Sequence, residues 1–198
     1  MFKLFKSDHQ VPEENTIWSE EYKELFELAF GKNNLVGLGG EYVYFDDLCI
    51  LKKGEYLFIR SLLPKKVALL KNNVVLWRKN IDSTSYDLAS DGSFVVMWDF
   101  KLHCIYIKYA NGSEKKIDFP CGGGLCSISP NNKFFVATTY SPENGIYFFD
   151  KEGSLIWKIL NKKVGGIDLL CDKIIIYDKI HKETRKKLFS INLTGDII

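Results

Sequence analysis

The chain has 198 residues, 46% of them hydrophobic and 26% charged, which supplies the apolar surface for one buried core and excludes an intrinsically disordered segment. Lys and Arg number 27 against 25 Asp and Glu, a formal charge of +2. That excludes a polyanion binder working by bulk charge and leaves room only for a local basic patch.

The first segment, residues 1–16, reads as a polar leader. Lys3, Lys6 and Asp8 interrupt its apolar residues, so no secretory-signal core is present and a cytoplasmic location is expected. Nowhere does an apolar run reach the roughly 18 residues of a membrane span. The five cysteines, Cys49, Cys104, Cys121, Cys126 and Cys171, form an odd, scattered set that reads as free thiols rather than a disulfide framework.

Residues 17–29 carry apolar side chains at spacings of three and four behind Ser19, which predicts an amphipathic helix with a Ser cap. A strand blurred by Glu is the alternative. The stretch from 17 to 43, helix then hairpin, is expected to close or cap the domain that runs from 17 to 198, and residues 25 to 40 are candidates to complete its last sheet.

From here a repeat governs the chain. An alternating apolar strand, an Asn- or Gly-bearing turn and a second strand recur around Asn34, Asn73, Gly112, Gly153 and Gly195, at intervals of 39, 39, 41 and 42 residues. Such turns need positive φ, which Asn and Gly adopt at least cost. A second turn recurs in phase at Gly54, Gly92, Asn132 and Asp172, at intervals of 38, 40 and 40. Each unit of about 40 residues therefore holds four antiparallel strands, a to d, over approximately 44–81, 82–119, 121–162 and 164–198. The last strand d is cut short at Ile198.

Ser90-Asp91-Gly92 and Ser129-Pro130-Asn131-Asn132 resemble the turn of WD-repeat β-propellers, and Asp150-x-x-Gly153-x-x-x-Trp157 is similar to the quinoprotein-type propeller repeat. The resemblance covers about residues 29 to 198. It implies a mostly β, propeller-like fold of four to five four-stranded antiparallel blades with a short N-terminal helix. Trp98-Asp99 does not add to it, because the dipeptide follows strand b where the family's closes strand c. Quinoprotein dehydrogenase activity is not carried over, since those enzymes use about eight blades.

In such a fold the b–c and d–a loops project from one side. They are expected to gather Phe100, Lys101, His103, Tyr140, Asn144, His181 and Arg185 with Gly122, Gly123, Gly124 and Gly165, a candidate protein-binding face. Asp46, Asp47, Asp87 and Asp168 lie in or before the innermost strands, as channel carboxylates or as caps on loop amides. Cys121 and Cys126 lack a second Cys/His pair at ligand spacing, so no metal site is expected. The intervening glycines lead into a strand, not a helix N-terminus, and so do not form a phosphate cradle.

No Gly-x-Ser-x-Gly, His-Glu-x-x-His or Gly-Lys-Ser/Thr sequence occurs, which removes the usual warrants for hydrolase, metalloprotease and nucleotide chemistry. No catalytic residue and no cofactor are assigned. The expected function is non-enzymatic protein binding, in a compact Lys- and Asn-rich chain of a kind suited to a microbial regulatory or toxin-neutralising protein. One alternative is a small enzyme using the channel carboxylates with His103 or His181. Another is nucleic-acid binding through the basic stretch Lys179, Lys182, Arg185, Lys186 and Lys187.

Overall fold

The computed structural model describes residues 20–31, 48–61, 65–179 and 184–198. These hold one helix, α1 (Glu20–Phe30), and fifteen strands in four sheets. The first sheet is β1 (Leu48–Lys53), β2 (Tyr56–Ser61), β3 (Lys66–Lys71) and β4 (Val74–Asn80); the second is β5 (Ser83–Leu88), β6 (Phe94–Asp99), β7 (Cys104–Tyr109) and β8 (Glu114–Asp118). The third is β9 (Gly123–Ile128), β10 (Phe134–Thr139), β11 (Ile146–Asp150) and β12 (Leu155–Ile159); the fourth is β13 (Gly166–Leu169), β14 (Lys173–Tyr177) and β15 (Lys187–Asn192). Every sheet is an antiparallel meander in chain order. The fourth has the shortened strand d that the sequence implied, reduced to a single bridge, Ile197 to Ile191.

The turns between c and d strands carry the positive φ that their composition demands, +61° at Asn73, +88° at Gly112, +77° at Gly153 and +100° at Gly195. Asn and Asp side chains brace several of them. Asn111 Oδ1 accepts from the Ser113 N–H at 3.0 Å and Asn192 Oδ1 from the Thr194 N–H at 3.1 Å, the local hydrogen bond that makes Asx residues good turn formers.

Strand composition follows position in the stack. β6 reads Phe-Val-Val-Met-Trp-Asp and is buried along its whole length, because alternate side chains enter two different interfaces. Phe94, Val96 and Trp98 pack on the third sheet with Ile128, Phe135, Ala137 and Phe149. Val95 and Met97 pack back on the first sheet with Phe58, Val67, Leu69 and Trp77. The third sheet repeats this, sending Val136, Ile146 and Phe148 onto Leu169, Ile174, Ile176 and Ile191 of the fourth. Strand β8, Glu-Lys-Lys-Ile-Asp, is an exposed outer strand, and charge on such an edge discourages pairing with another chain.

The far face of the first sheet is covered by α1, whose Phe26, Ala29 and Phe30 pack on Ile59, Ala68 and Leu70. Arg78 of β4 donates to the Leu28 carbonyl at 3.0 Å and to the Ala29 carbonyl, satisfying carbonyls that a helix end leaves open. Residues 25–30 are therefore helix on the first sheet and do not complete the fourth. The rest of the proposed closing segment, 32–40, and the Asn34 turn lie outside the described residues.

Side chains stitch neighbouring sheets where backbone pairing stops. On the innermost strands, Ser85 Oγ accepts from the Cys126 N–H at 3.1 Å and Asp87 Oδ2 from the Ile128 N–H at 2.8 Å. At the outer strands, Trp157 Nε1 donates to the Leu193 carbonyl of the next sheet at 2.9 Å. The innermost strands β1, β5, β9 and β13 thus run side by side in chain order, and the described parts of the b–c and d–a loops emerge at the same end.

Candidate functional site

The b–c loop of the second sheet, residues 100–103, is fixed from below. Asp99 Oδ1 accepts from the Leu102 N–H at 3.0 Å, the Phe100 N–H donates to the Asp82 carbonyl at 3.2 Å, and the Phe119 N–H donates to the His103 carbonyl at 2.9 Å. His103 adopts a φ of +49°, the tight end of the loop. With its backbone held, the loop presents Phe100 at 49% exposure, with Lys101, Leu102 and His103 also exposed.

The b–c loop of the third sheet, residues 140–145, is braced similarly. Thr139 Oγ1 accepts from the Gly145 N–H at 2.8 Å and the Asn144 N–H donates to the Tyr140 carbonyl at 3.0 Å, with Asn144 at φ +47°. The following d–a connection is tied to it by Lys162 N–H donating to the Asn144 carbonyl at 2.9 Å. Tyr140 is 42% exposed, and burial of the remainder pushes its phenol pKa up. Beneath it, Cys121 Sγ lies 3.5 Å from the Tyr140 carbonyl and 3.7 Å from Glu143 Oε2.

The glycines join these loops. A Cβ on Gly122 would stand 3.5 Å from the Phe100 ring, and one on Gly124 would stand 3.3 Å from the Tyr140 ring. The Tyr140 N–H also donates to the Gly122 carbonyl at 3.1 Å. Two aromatic rings from different sheets therefore lie beside one stretch of glycine backbone, half-buried at Gly122 and buried at Gly124, where Thr138 Oγ1 is the nearest neighbour. Gly123 turns the other way, and a Cβ there would fall 2.1 Å from the Trp98 ring; packing demands glycine at 123 and 124, whereas a Cβ at 122 would make an ordinary contact.

On the fourth sheet, Gly165 lies under the Asp178 carbonyl, where a Cβ would come to 2.0 Å. Arg185 grips Asp168 through both guanidinium nitrogens, with 3.1 Å from Nη1 to Oδ1, and stacks 3.8 Å from the Tyr177 ring centroid. Tyr177 donates to Asp168 Oδ2 at 3.0 Å; burial, then this carboxylate, pushes the phenol pKa up. Arg185 is thus engaged within its own sheet. His181, Asp46 and Asp47 lie outside the described residues, as does Lys182.

Asp87 accepts backbone N–H groups from Leu88 at 2.9 Å and Ile128 at 2.8 Å. Burial raises its pKa, and the hydrogen bonds from Ile128 and Leu88 and the charge of Lys53 oppose the rise. Cys126 points to the Val96 carbonyl at 3.7 Å, and burial pushes its thiol up to about 12. Cys121 and Cys126 thus face different surroundings. Among the described residues there is no cluster of three His, Cys, Asp or Glu able to hold a metal ion, and no helix is long and apolar enough to cross a membrane. A shallow depression of about 440 Å³ lies at the opposite loop end, lined by Ser93, Tyr109, Ala110, Asn111 and Ser113.

What sequence reasoning missed is Leu102, which is 53% exposed beside Phe100, and the part played by Gly122 and Gly124 as the floor between two rings.

No protein-family model matches the chain, and no curated protein matches it. Among solved structures, it is similar to hydrazine synthase from Kuenenia stuttgartiensis at a TM-score of 0.54 and 14% identity, covering 81% of this chain and 52% of that one. The WD40 domain of Neurospora crassa Pan2 matches at 0.53 and 12% identity over 76% and 50%, and the RRP9 WD40 repeats at 0.54 and 12% over 75% and 57%. The chain spans about half the length of these structures. At such identities the likeness shows the fold: successive propeller-type sheets of the WD40 kind.

Proposed function

We propose that this chain is a non-enzymatic recognition module that holds another protein on the end of the stack formed by its b–c and d–a loops. The observation that carries the reading is the pair of exposed rings, Phe100 and Tyr140, brought from two sheets onto the Gly122 and Gly124 backbone and held there by main-chain hydrogen bonds. Aromatic side chains on a rigid support bury large area at little entropic cost, and they are enriched where protein interfaces concentrate their energy. Lys101, His103 and Asn144 complete the face, with His181 in the same b–c loop as Arg185. The carboxylates of Asp87 and Asp168 already serve backbone amides and Arg185, an arrangement suited to holding sheets and loops in place. A regulatory or toxin-neutralising role in a cytoplasmic setting is the form of protein binding we favour.

The test is affinity capture from native lysate with quantitative mass spectrometry. A partner held by wild type is expected to be lost from Phe100→Asp/Tyr140→Asp and kept by Asp172→Lys, which alters the opposite loop end. Partners retained equally by all three forms would contradict the proposal.

A further inference from the structure

The described turn and loop residues at the two ends of the stack carry opposite formal charge, which net charge and residue order both conceal, although Glu55, Glu152 and Asp172 at the acidic end pair with Lys71, Lys151 and Lys173. Among described residues between strands, the a–b and c–d turns hold five carboxylates, Glu55, Asp91, Glu152, Asp172 and Asp196, against two lysines. The b–c and d–a loops hold seven basic side chains against three acidic ones. Two of the seven are already paired, Lys65 with Asp82 and Arg185 with Asp168. The remaining five, Lys101, Lys162, Lys163, Lys179 and Lys186, are exposed and form no ion pair among the described residues. The acids at this end are engaged locally. Asp178 accepts the Lys186 N–H at 2.7 Å, and Glu143 accepts from Thr139 Oγ1 at 3.4 Å.

Phe100, Leu102, Tyr140 and Leu160 are exposed at the basic end, where the two aromatic rings lie; the exposed apolar side chains in or beside the turns of the acidic end, Val74, Leu155, Leu170, Ile197 and Ile198, are all aliphatic. Resting on the protein-binding reading above, we infer that the partner presents an acidic segment with interspersed apolar side chains. Its apolar groups pack on Phe100, Leu102 and Tyr140 over the glycine strip, and its carboxylates face Lys101, Lys162 and Lys163. Complementary charge around an aromatic centre speeds encounter and sets orientation, while the buried rings supply the affinity.

A second copy docking its acidic end here would offer Glu55, Glu152 and Asp172, which already pair with Lys71, Lys151 and Lys173 of their own chain. A single-stranded nucleic acid would use both rings and lysines, but Glu143 lies in the Tyr140 loop and the aliphatic Leu102 and Leu160 offer no stacking plane.

The test uses a fluorescein-labelled peptide, Glu-Leu-Asp-Phe-Glu-Leu-Asp-Phe-Glu, a control with lysine in place of each acid, and a ten-nucleotide uridine RNA, titrated with the whole chain and followed by anisotropy. The acidic peptide is expected to bind saturably, more weakly as salt rises, and more tightly than either control. Phe100→Ala/Tyr140→Ala is expected to weaken it about tenfold or more, and Lys101→Glu/Lys162→Glu about tenfold with a flatter salt dependence. Circular dichroism verifies that the variants are folded. No saturation near about 1 mM acidic peptide, binding by both double variants as tight as that of wild type, tighter binding of the RNA, or self-association that the ring substitutions abolish would each overturn the inference. If the acidic peptide fails while a captured partner still depends on Phe100 and Tyr140, the partner chemistry is wrong and the face stands; if capture is also indifferent to them, the face falls too.

Discussion

Trp98 accounts for the glycine at 123. Its ring is fully buried between the second and third sheets, donates Nε1–H to the Leu125 carbonyl at 3.2 Å, and occupies the space that a Cβ at 123 would need. Gly123→Ala is expected to cost about 1–3 kcal/mol, the usual penalty for overpacking, read as a lower urea midpoint. Asp87 makes a different prediction. Its folded pKa lies above the ordinary 3.8 because burial penalises the charge. Between 3.8 and that raised value the folded chain holds a proton that the unfolded chain has released, so stability falls as pH rises through this window and is flat above it. Asp87→Asn keeps an oxygen for the Ile128 N–H and removes the titration. Relative to wild type, the variant is expected to gain stability as pH is raised from 3.5 to 7 in urea unfolding; a difference independent of pH would contradict this reading of Asp87.

At the scale of elements, helix α1 was legible because Leu25, Phe26, Ala29 and Phe30 recur at helical spacing, and the turns were legible because positive φ restricts the choice largely to Gly and Asn. Phe26 is fully buried against the first sheet. Phe26→Ala is expected to cost about 3 kcal/mol, as large-to-small core substitutions do, and to speed amide exchange in α1 and β3 before β10. Uniform loss across all sheets would contradict the helix as a separate cover. The fourth sheet was legible down to its shortened last strand: the turn at Gly195 signalled a hairpin, and the few residues after it make only the Ile191–Ile197 bridge. The loop face proposed above as the binding surface was partly legible. Loop membership placed Phe100 and Tyr140 together, because it depends only on strand order. The opposed charge of the two ends was not, because it is spread over loops some 40 residues apart and sums only after stacking. Arg185 was read as part of the protein-binding face and of a basic stretch, whereas geometry ties it to Asp168 of β13, because that pairing depends on how the loop between β14 and β15 folds back over the sheet, which local sequence does not encode.

At the scale of the molecule, everything functional depends on consecutive sheets packing face to face with their innermost strands adjacent. Were the sheets arranged otherwise, Phe100 and Tyr140 would not share the glycine strip and the lysines would not gather at one end. Each sheet covers its neighbour, as in repeat proteins, so stability is a sum over local interfaces; the interior strands β6 and β10, buried on both faces, should exchange their amides last. Ser85 of β5 and Cys126 of β9 belong to different sheets, and their side-chain oxygen and sulfur lie 3.6 Å apart, within reach of a disulfide once the oxygen is replaced by sulfur. The most direct measurement is oxidation of Ser85→Cys followed by non-reducing peptide mass spectrometry. The account predicts a disulfide between position 85 and Cys126 in a chain that remains folded; an introduced thiol that stays free, or that pairs with Cys49, Cys104, Cys121 or Cys171 instead, would contradict it.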